Sequence, residues 1–309
     1  MLIRGDARVL PLVDGCVDCV VTSPSYWGLR DYGHPRQIGL QQTPESYVDD
    51  LVDVFAEVWR VLKPAGTCWV NLGDSFKKDV SVPGLKPKDL VGIPWMFAFA
   101  ARRRGWHLRS DVVWSKPNPM PESVQDRPTR SHEYVFLLTK CRCYHYDAAA
   151  IREPSALSTL REFETAYEWE GTKDYAASGV QNPSDIKRRI TDKQRGHGRR
   201  HAGFNDRWDD MPKVEQQQHG ANKRSVWTIP TMPYAGAHFA TMPEKLVEPC
   251  IMAGCPLGGL VLDPFVGSGT VVSVAERLGR RGVGVDLSYQ DLAKKRTAQR
   301  GLRFTEASA

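Results

Sequence analysis

The chain contains no run of ~18 apolar residues, which excludes an ordinary membrane-spanning helix. Its start, Met1-Leu2-Ile3-Arg4-Gly5-Asp6, lacks a signal-peptide pattern, so the expected location is cytoplasmic. Cysteine is sparse: seven residues, an odd number, and scattered. Cys16-x-x-Cys19 and Cys141-x-Cys143 have the form of zinc half-sites. However, Cys19 lies inside an apolar run, and no second Cys-x-x-Cys follows at finger-like spacing. Buried or incidental thiols are expected, with no metal and, in a reducing cytosol, no disulfides. Two phosphate-cradling loops are also missing: neither Gly-x-Gly-x-x-Gly nor Gly-Lys-Ser/Thr occurs. Charge of one sign is modest, at +6, which permits a nucleic-acid partner without demanding one.

What is present is core-forming material. The 309 residues are 41% hydrophobic, ample for one large core or a core with an inserted module. Strand-like and helix-like segments alternate over residues 1–150. Val17 to Val21 reads as a strand. Ser46 to Leu62 is a helix, with Leu51, Val54, Phe55, Val58 and Leu62 at helical spacing, stopped by Lys63-Pro64-Ala65-Gly66. Thr67 to Leu72, Leu108 to Trp114 and Tyr134 to Thr139 read as strands, and Ile93 to Arg104 as a helix. After residue 226 come a helix from Pro243 to Ala253, a strand from Gly259 to Asp263, a helix from Thr270 to Leu278, a strand from Gly282 to Asp286 and a last helix from Tyr289 to Arg300. Such alternation predicts an α/β fold with a parallel sheet covered on both faces.

Between 151 and 225 the apolar periodicity fades, and this stretch reads as an insertion. It holds the cluster Lys187, Arg188, Arg189, Lys193, Arg195, Arg199, Arg200 and Arg207 against Asp192 and Asp206. That local excess equals the whole chain's. His197, His201, Phe204 and Trp208 are interleaved.

Two distant motifs share one form. Val17–Val21 breaks off into Thr22-Ser23-Pro24-Ser25-Tyr26-Trp27. Far downstream, Val261-Leu262-Asp263 breaks off into Pro264-Phe265-Val266-Gly267-Ser268-Gly269-Thr270. On an open α/β sheet, ligands sit beyond the carboxyl ends of strands. Gly267 and Gly269 allow a tight turn and close backbone approach, and Asp286 ends the next strand, placed to meet ribose hydroxyls. Asp263 at the head of the turn would repel phosphates, so this loop need not hold them.

Asp263 to Thr270 resembles the S-adenosylmethionine motif of DNA amino-methyltransferases, and Thr22-Ser23-Pro24-Ser25-Tyr26 resembles their catalytic Ser/Asp/Asn-Pro-Pro-Tyr motif. Lys63-Pro64-x-Gly66, Asn71-Leu72-Gly73-Asp74, Trp114-Ser115-Lys116-Pro117 and His132-Glu133-Tyr134 also fit. The catalytic motif precedes the cofactor motif, with the insertion between them, which resembles the beta group. The resemblance implies a Rossmann-like S-adenosylmethionine methyltransferase sheet, circularly permuted, with an inserted target-recognition region. The catalytic half would be 1–150, the insertion 151–225 and the cofactor half 226–309. It implies that Asp6 reads the cofactor's adenine amino group and that Phe265 and the glycines wall the methionine part. Asp286 would hold the ribose. Asp263, Ser268, Thr270 and Ser23 would also line the cofactor site, with His238, Phe239 and Thr241 leading the segment that closes over it.

These residues suit the chemistry. The lone pair of an exocyclic amino group is delocalised into the ring, so acceptors aimed at its hydrogens stabilise the charge that develops on methylation. The Ser23 hydroxyl and the Pro24 carbonyl form such a pair, and proline offers an acceptor without a donor. Tyr26, with Trp27, offers an aromatic face to a base pulled from duplex DNA. Ser25 replaces the family's usual second proline; the two main acceptors survive, so activity is expected.

Ser rather than Asp at the first motif position resembles the cytosine-N4 group, with adenine N6 as the alternative. Cytosine C5 attack is not indicated: Pro249-Cys250 falls in a predicted helix and Cys255-Pro256 has the reverse order. Lys187, Arg188, Arg189, Arg195, Arg199 and Arg200 would meet DNA phosphates. Double-stranded DNA is the expected partner, with room for a cognate restriction endonuclease and for a homodimer. A methyltransferase-like DNA-binding protein of weak activity, or a methyltransferase for protein glutamine or RNA, remains an alternative.

Overall fold

The computed structural model describes residues 1–29, 31, 33–76, 84–154, 220–232, 242–287 and 293. By packing, the chain divides into Met1–Ile151 with Arg224–Ala309, and a second unit, Arg152–Lys223. In the second unit the described ends pair with each other: Glu153 and Ala221 exchange backbone bonds of 2.9 and 2.8 Å.

The larger unit is built on β1 (Leu2–Arg4), β2 (Val17–Thr22), α1 (Pro44–Val61), β3 (Leu62–Leu72), α2 (Ile93–Arg103), β4 (His107–Ser115), β5 (His132–Thr139), β6 (Val226–Thr228), α3 (Glu244–Gly254), β7 (Leu260–Asp263), α4 (Thr270–Arg277) and β8 (Arg281–Asp286). The sheet order is β1-β8-β7-β2-β3-β5-β4-β6. Within this sheet the described strand pairings are parallel except those of β5, which runs antiparallel to both β3 and β4. The expected all-parallel sheet is therefore corrected at one strand. No helix separates β4 from β5, so β5 returns alongside β4, and a strand that returns without a crossover runs antiparallel.

Local chemistry explains the helices. Thr43 caps α1 in a box with Ser46, its Oγ1 accepting the Ser46 N–H at 3.2 Å, and Pro44 sits in the first turn. The apolar stripe of α1 buries Tyr47, Leu51, Val54, Phe55 and Val58. Phe55 meets Phe97 of α2 edge to face at 4.8 Å. These two helices pack on one face of the sheet around Val20, Cys68 and Phe136. On the other face Leu246, Val247 and Ile251 of α3 and Val271 and Val274 of α4 pack around Cys19, Val21 and Trp69. Alternate residues of β2 thus feed opposite cores, which is why the strand reads as a continuous apolar run.

The Lys63–Gly66 stretch, expected as a helix stop, already belongs to β3, because Leu62 leaves α1 directly into extended backbone. β1 and β6, at three residues each, are additions that the sequence pattern did not suggest. Of the predicted helix at Tyr289–Arg300 only Ala293 is among the described residues, where it is helical and buried, and most of the 151–225 insertion lies outside them. Among the described residues no helix is long and apolar enough to cross a membrane.

One contact fixes α3 against the sheet. A Cβ on Gly254 would lie 2.3 Å from Thr67 Oγ1 and 2.6 Å from Trp69 Nε1, while the Thr67 hydroxyl donates to the Gly254 carbonyl at 2.9 Å. Gly254→Ala is expected to cost about 1–3 kcal/mol by overpacking, read as a lower urea midpoint at unchanged slope. An unchanged midpoint would show that α3 can shift freely.

Candidate active site

The proposed site residues converge because their strands are neighbours. β1, β8, β7 and β2 lie side by side and parallel. Their carboxyl ends carry, in order, Asp6, Asp286, the Asp263–Thr270 turn and the Ser23–Tyr26 loop. The sequence separation between the two halves is bridged by a pairing of Cys19 with Val261 and Val20 with Leu262. Chain order is therefore immaterial to the site.

The two motifs are joined by a buried hydrogen bond. Thr22, the last residue of β2, donates from Oγ1 to Asp263 Oδ1 at 2.7 Å. The same oxygen accepts the Phe265 N–H at 3.0 Å, so Asp263 folds the turn back on itself. Burial pushes its carboxyl up to about 7, the nearby Asp286 charge adds to this, and the two donors oppose it. Asp286 Oδ2 accepts the Gly267 N–H at 3.0 Å. Gly269 adopts φ 81°, the left-handed conformation that lets the turn enter α4 directly. Ser268 and Thr270 are buried beside each other, their hydroxyls 3.3 Å apart, and Phe265 packs partly buried against the core.

Asp6 is held from one side. Arg8 donates to it from Nε at 3.1 Å and Nη2 at 3.0 Å, and Arg36 lies 3.7 Å away. Burial alone would raise the Asp6 carboxyl, but the Arg8 hydrogen bonds and both guanidinium charges outweigh it and hold it below its ordinary range. The Gly5 N–H bonds the Asp286 carbonyl at 3.0 Å, tying this acid to the end of β8.

The Ser23–Trp27 loop is shaped by its surroundings. Pro24 is buried and Ser23 partly exposed. Tyr47 of α1 donates its hydroxyl to the Ser25 carbonyl at 2.7 Å. The Trp27 indole N–H donates to the Gln41 carbonyl at 2.8 Å, and its ring packs against the core. Tyr26 points inward. Its hydroxyl donates to Glu133 Oε2 at 2.5 Å, and its ring lies against Gly73, where a Cβ would come within 2.5 Å. Its hydroxyl is buried while the residue keeps partial exposure. Burial first, then the Glu133 charge and hydrogen bond, push the phenol well above its ordinary value.

The structure adds a cluster that the sequence reading did not single out as site residues. Glu133 Oε2 also accepts from Asn71 Nδ2 at 3.0 Å, and Oε1 accepts from Lys116 Nζ. The available signal was a carboxylate, Glu133, directly before the apolar run from Tyr134 to Leu138. The expected site residues His238, Phe239 and Thr241, and the basic residues Lys187, Arg188, Arg189, Arg195, Arg199 and Arg200, lie outside the described residues. Among the described residues no group of three or more His, Cys, Asp or Glu could hold a metal.

An open α/β sheet with one reversed strand, a glycine turn after one central strand and a Ser-Pro loop after its neighbour place a ligand site at the carboxyl edge of the sheet, without the sequence of a phosphate loop. Comparison with known proteins gives the class. The family described as DNA methylase matches residues 17–295. The Type II methyltransferase M.SmaI of Serratia marcescens is 40% identical over 97% of this chain and 91% of its own length. The chain belongs to the DNA methylase family, whose members are S-adenosylmethionine-dependent amino-methyltransferases of the N6/N4 type. Two solved structures share the fold. One is a putative DNA modification methylase from Thermus thermophilus complexed with S-adenosyl-L-methionine, with TM-score 0.56 and 24% identity, covering 96% of this chain and 93% of that one. The other is the PvuII DNA methyltransferase, described as cytosine-N4-specific, with TM-score 0.62 and 17% identity, covering 99% and 87%.

Proposed function

We propose that this chain moves the methyl group of S-adenosylmethionine to the N4 amino group of a cytosine turned out of double-stranded DNA. One observation carries the reading: the Ser23-Pro24 loop and the Asp263–Thr270 turn end adjacent parallel strands and are tied together by the Thr22–Asp263 bond. The cofactor supplies the methyl group when bound. The residues present fit it: Gly267 and Gly269 carry no side chain in the turn, and Asp286 offers an acceptor to ribose hydroxyls. Ser23 and the Pro24 carbonyl accept from the target amino group, and the ring of Tyr26 supports the base.

A neutral serine at the first motif position favours cytosine. A serine hydroxyl suffices as an acceptor, and the resemblance of Ser23 to the cytosine-N4 group points the same way. Lys187, Arg188, Arg189, Arg195, Arg199 and Arg200 serve as phosphate contacts in this reading, which makes DNA binding steeply salt-dependent. The similarity to a Type II methyltransferase supports a setting with a cognate restriction endonuclease.

Unmethylated duplex DNA incubated with the protein and S-adenosylmethionine, then digested to nucleosides, is expected to yield N4-methylcytosine. N6-methyladenine would overturn the base assignment, and the absence of any methylated nucleoside would overturn the reaction.

A further inference from the structure

We infer that Gly73 and Glu133 form a seat for the Tyr26 ring, so that the platform for an extruded base stands in place before DNA binds. Both act as positioning residues. The inference rests on the proposed methyl transfer to a cytosine turned out of DNA and adds how the ring that supports the base is held.

A tyrosine on a loop can turn about two side-chain torsions, and a platform that must be ordered during binding weakens the complex. Tyr26 is held at two points. At its tip, the hydroxyl donates to Glu133 Oε2 at 2.5 Å, and a bond to a carboxylate is shorter and stronger than one between neutral groups. Along its flank, the ring lies on Gly73. A Cβ there would come 2.5 Å from Cε2 and 3.1 Å from Cδ2 and Cζ, so a side chain must push the ring away. Gly73 is not among the glycines with left-handed backbone, so its conformation is open to other residues. What requires glycine is the ring.

Glu133 is held in turn. Its side chain is 11% exposed and receives Lys116 on Oε1 and Asn71 on Oε2, the latter at 3.0 Å. Lys116 supplies the counter-charge that a buried carboxylate needs. Its Nζ lies 4.5 Å from the centre of the Trp114 ring, and Asn71 Nδ2 also donates to the Tyr134 carbonyl at 3.2 Å. The acceptor for the phenol is thus fixed from β3, β5 and the end of β4. Asn71 and Gly73 stand two residues apart at the carboxyl end of β3, so one strand end supplies both the brace and the flank. Tyr26 keeps partial exposure. With Gly73 against one flank of the ring, a base must take the other.

Removing the ring in Tyr26→Ala is expected to slow single-turnover methylation of duplex DNA about 10–100-fold, the scale of one lost base stack. Gly73→Ala, which displaces the ring, is expected to cost about 10-fold on the same scale, yet to add nothing in Tyr26→Ala, where no ring remains to displace. Tyr26→Phe keeps the ring on Gly73 and cuts the tether, for a loss of about 2–10-fold, the scale of one side chain left to be ordered. Glu133→Asp keeps a charge for Lys116 but draws it back by one methylene. It is expected to match Tyr26→Phe, with no further loss when the two are combined. KM for DNA should stay unchanged throughout, because phosphate contacts dominate DNA affinity.

The seat is also read without DNA. With 3-fluorotyrosine in place of tyrosine, the fluorine NMR signal that vanishes in Tyr26→Phe belongs to residue 26. In the free wild type it is expected away from the signal of unfolded protein, and it should move in Gly73→Ala and in Glu133→Asp. A Tyr26 signal at the unfolded position would overturn the inference whether or not the protein methylates DNA, and wild-type methylation tests the proposed reaction separately. A full Gly73→Ala loss in the Tyr26→Ala background, or a wild-type rate in Tyr26→Phe, would overturn it as well. Tyr26→Phe leaves Gly73 and Glu133 in place, so it decides the question even where Gly73→Ala fails to fold.

Discussion

Removing the Ser23 hydroxyl is expected to slow methyl transfer by about 10²–10³-fold while leaving the protein folded. The nitrogen of an exocyclic amino group must give up conjugation with its ring as it attacks, and positive charge grows on it. An acceptor already aimed at its hydrogens stabilises that charge without reorganisation. Alanine supplies none. The fold tolerates the change because the loop's shape is set by its neighbours. Thr22 bonds Asp263 at 2.7 Å, Tyr47 holds the Ser25 carbonyl at 2.7 Å, and the Gly28 N–H reaches the Gly39 carbonyl at 2.8 Å. Single-turnover rates beside melting curves separate the two effects. A Ser23→Ala protein that melts normally and methylates at the wild-type rate would show that another group accepts from the target amine.

The resemblance of the Ser23-Pro24 loop to a catalytic motif was legible because that motif is local. The same holds for α1, β2 and the Asp263–Thr270 turn, where apolar spacing and glycine placement are written in consecutive residues. The reversal of β5 was not legible. Strand direction leaves no trace in a pattern of buried residues, and only the absence of a helix between Ser115 and His132 hinted at it. β1 and β6 were invisible because three residues carry no periodicity. Their places are set by partners that are remote in sequence: Leu2 against Gly284, and Trp227 against Trp114.

The Glu133 cluster shows the same limit within the site. His132-Glu133-Tyr134, Trp114–Pro117 and Asn71–Asp74 each matched the family as separate fragments. Nothing in any one fragment says that Glu133, Lys116, Asn71 and Tyr26 meet. The meeting depends on β5 entering the sheet at the end where β3 and β4 leave it, with Glu133 opposite Trp114 and Val135 opposite Asn71. A carboxylate at the head of an apolar strand was the readable half of that signal, and its burial and its partners were the unreadable half.

The second large effect concerns pH. Stability is expected to decline as pH rises from about 4 toward 8, in part through Asp263, and Asp263→Asn should remove that part. Burial, helped by the Asp286 charge, raises this carboxyl from the usual 3.8 to about 7. The folded protein therefore keeps a proton that the unfolded chain releases between those values. The contribution is fully present below the unfolded value and is lost as pH passes about 7. Three units correspond to roughly 4 kcal/mol as an upper scale. Asparagine keeps an oxygen for Thr22 and the Phe265 N–H but never ionises, so its stability should fall less across the range. Urea unfolding of both proteins at pH 5 and pH 8 measures the difference, and parallel losses would show that Asp263 is not the group responsible. The cost also bears on the proposed cofactor site. S-adenosylmethionine carries a sulfonium cation, whereas its product S-adenosylhomocysteine is neutral at sulfur. A buried Asp263 carboxylate is stabilised by a nearby cation, so the wild type is expected to bind S-adenosylmethionine more tightly at pH 8 than at pH 6. S-adenosylhomocysteine should show no such gain, nor should either ligand on Asp263→Asn. Equal pH dependence for both ligands on the wild type would place Asp263 away from the sulfonium, as a residue that only folds the turn.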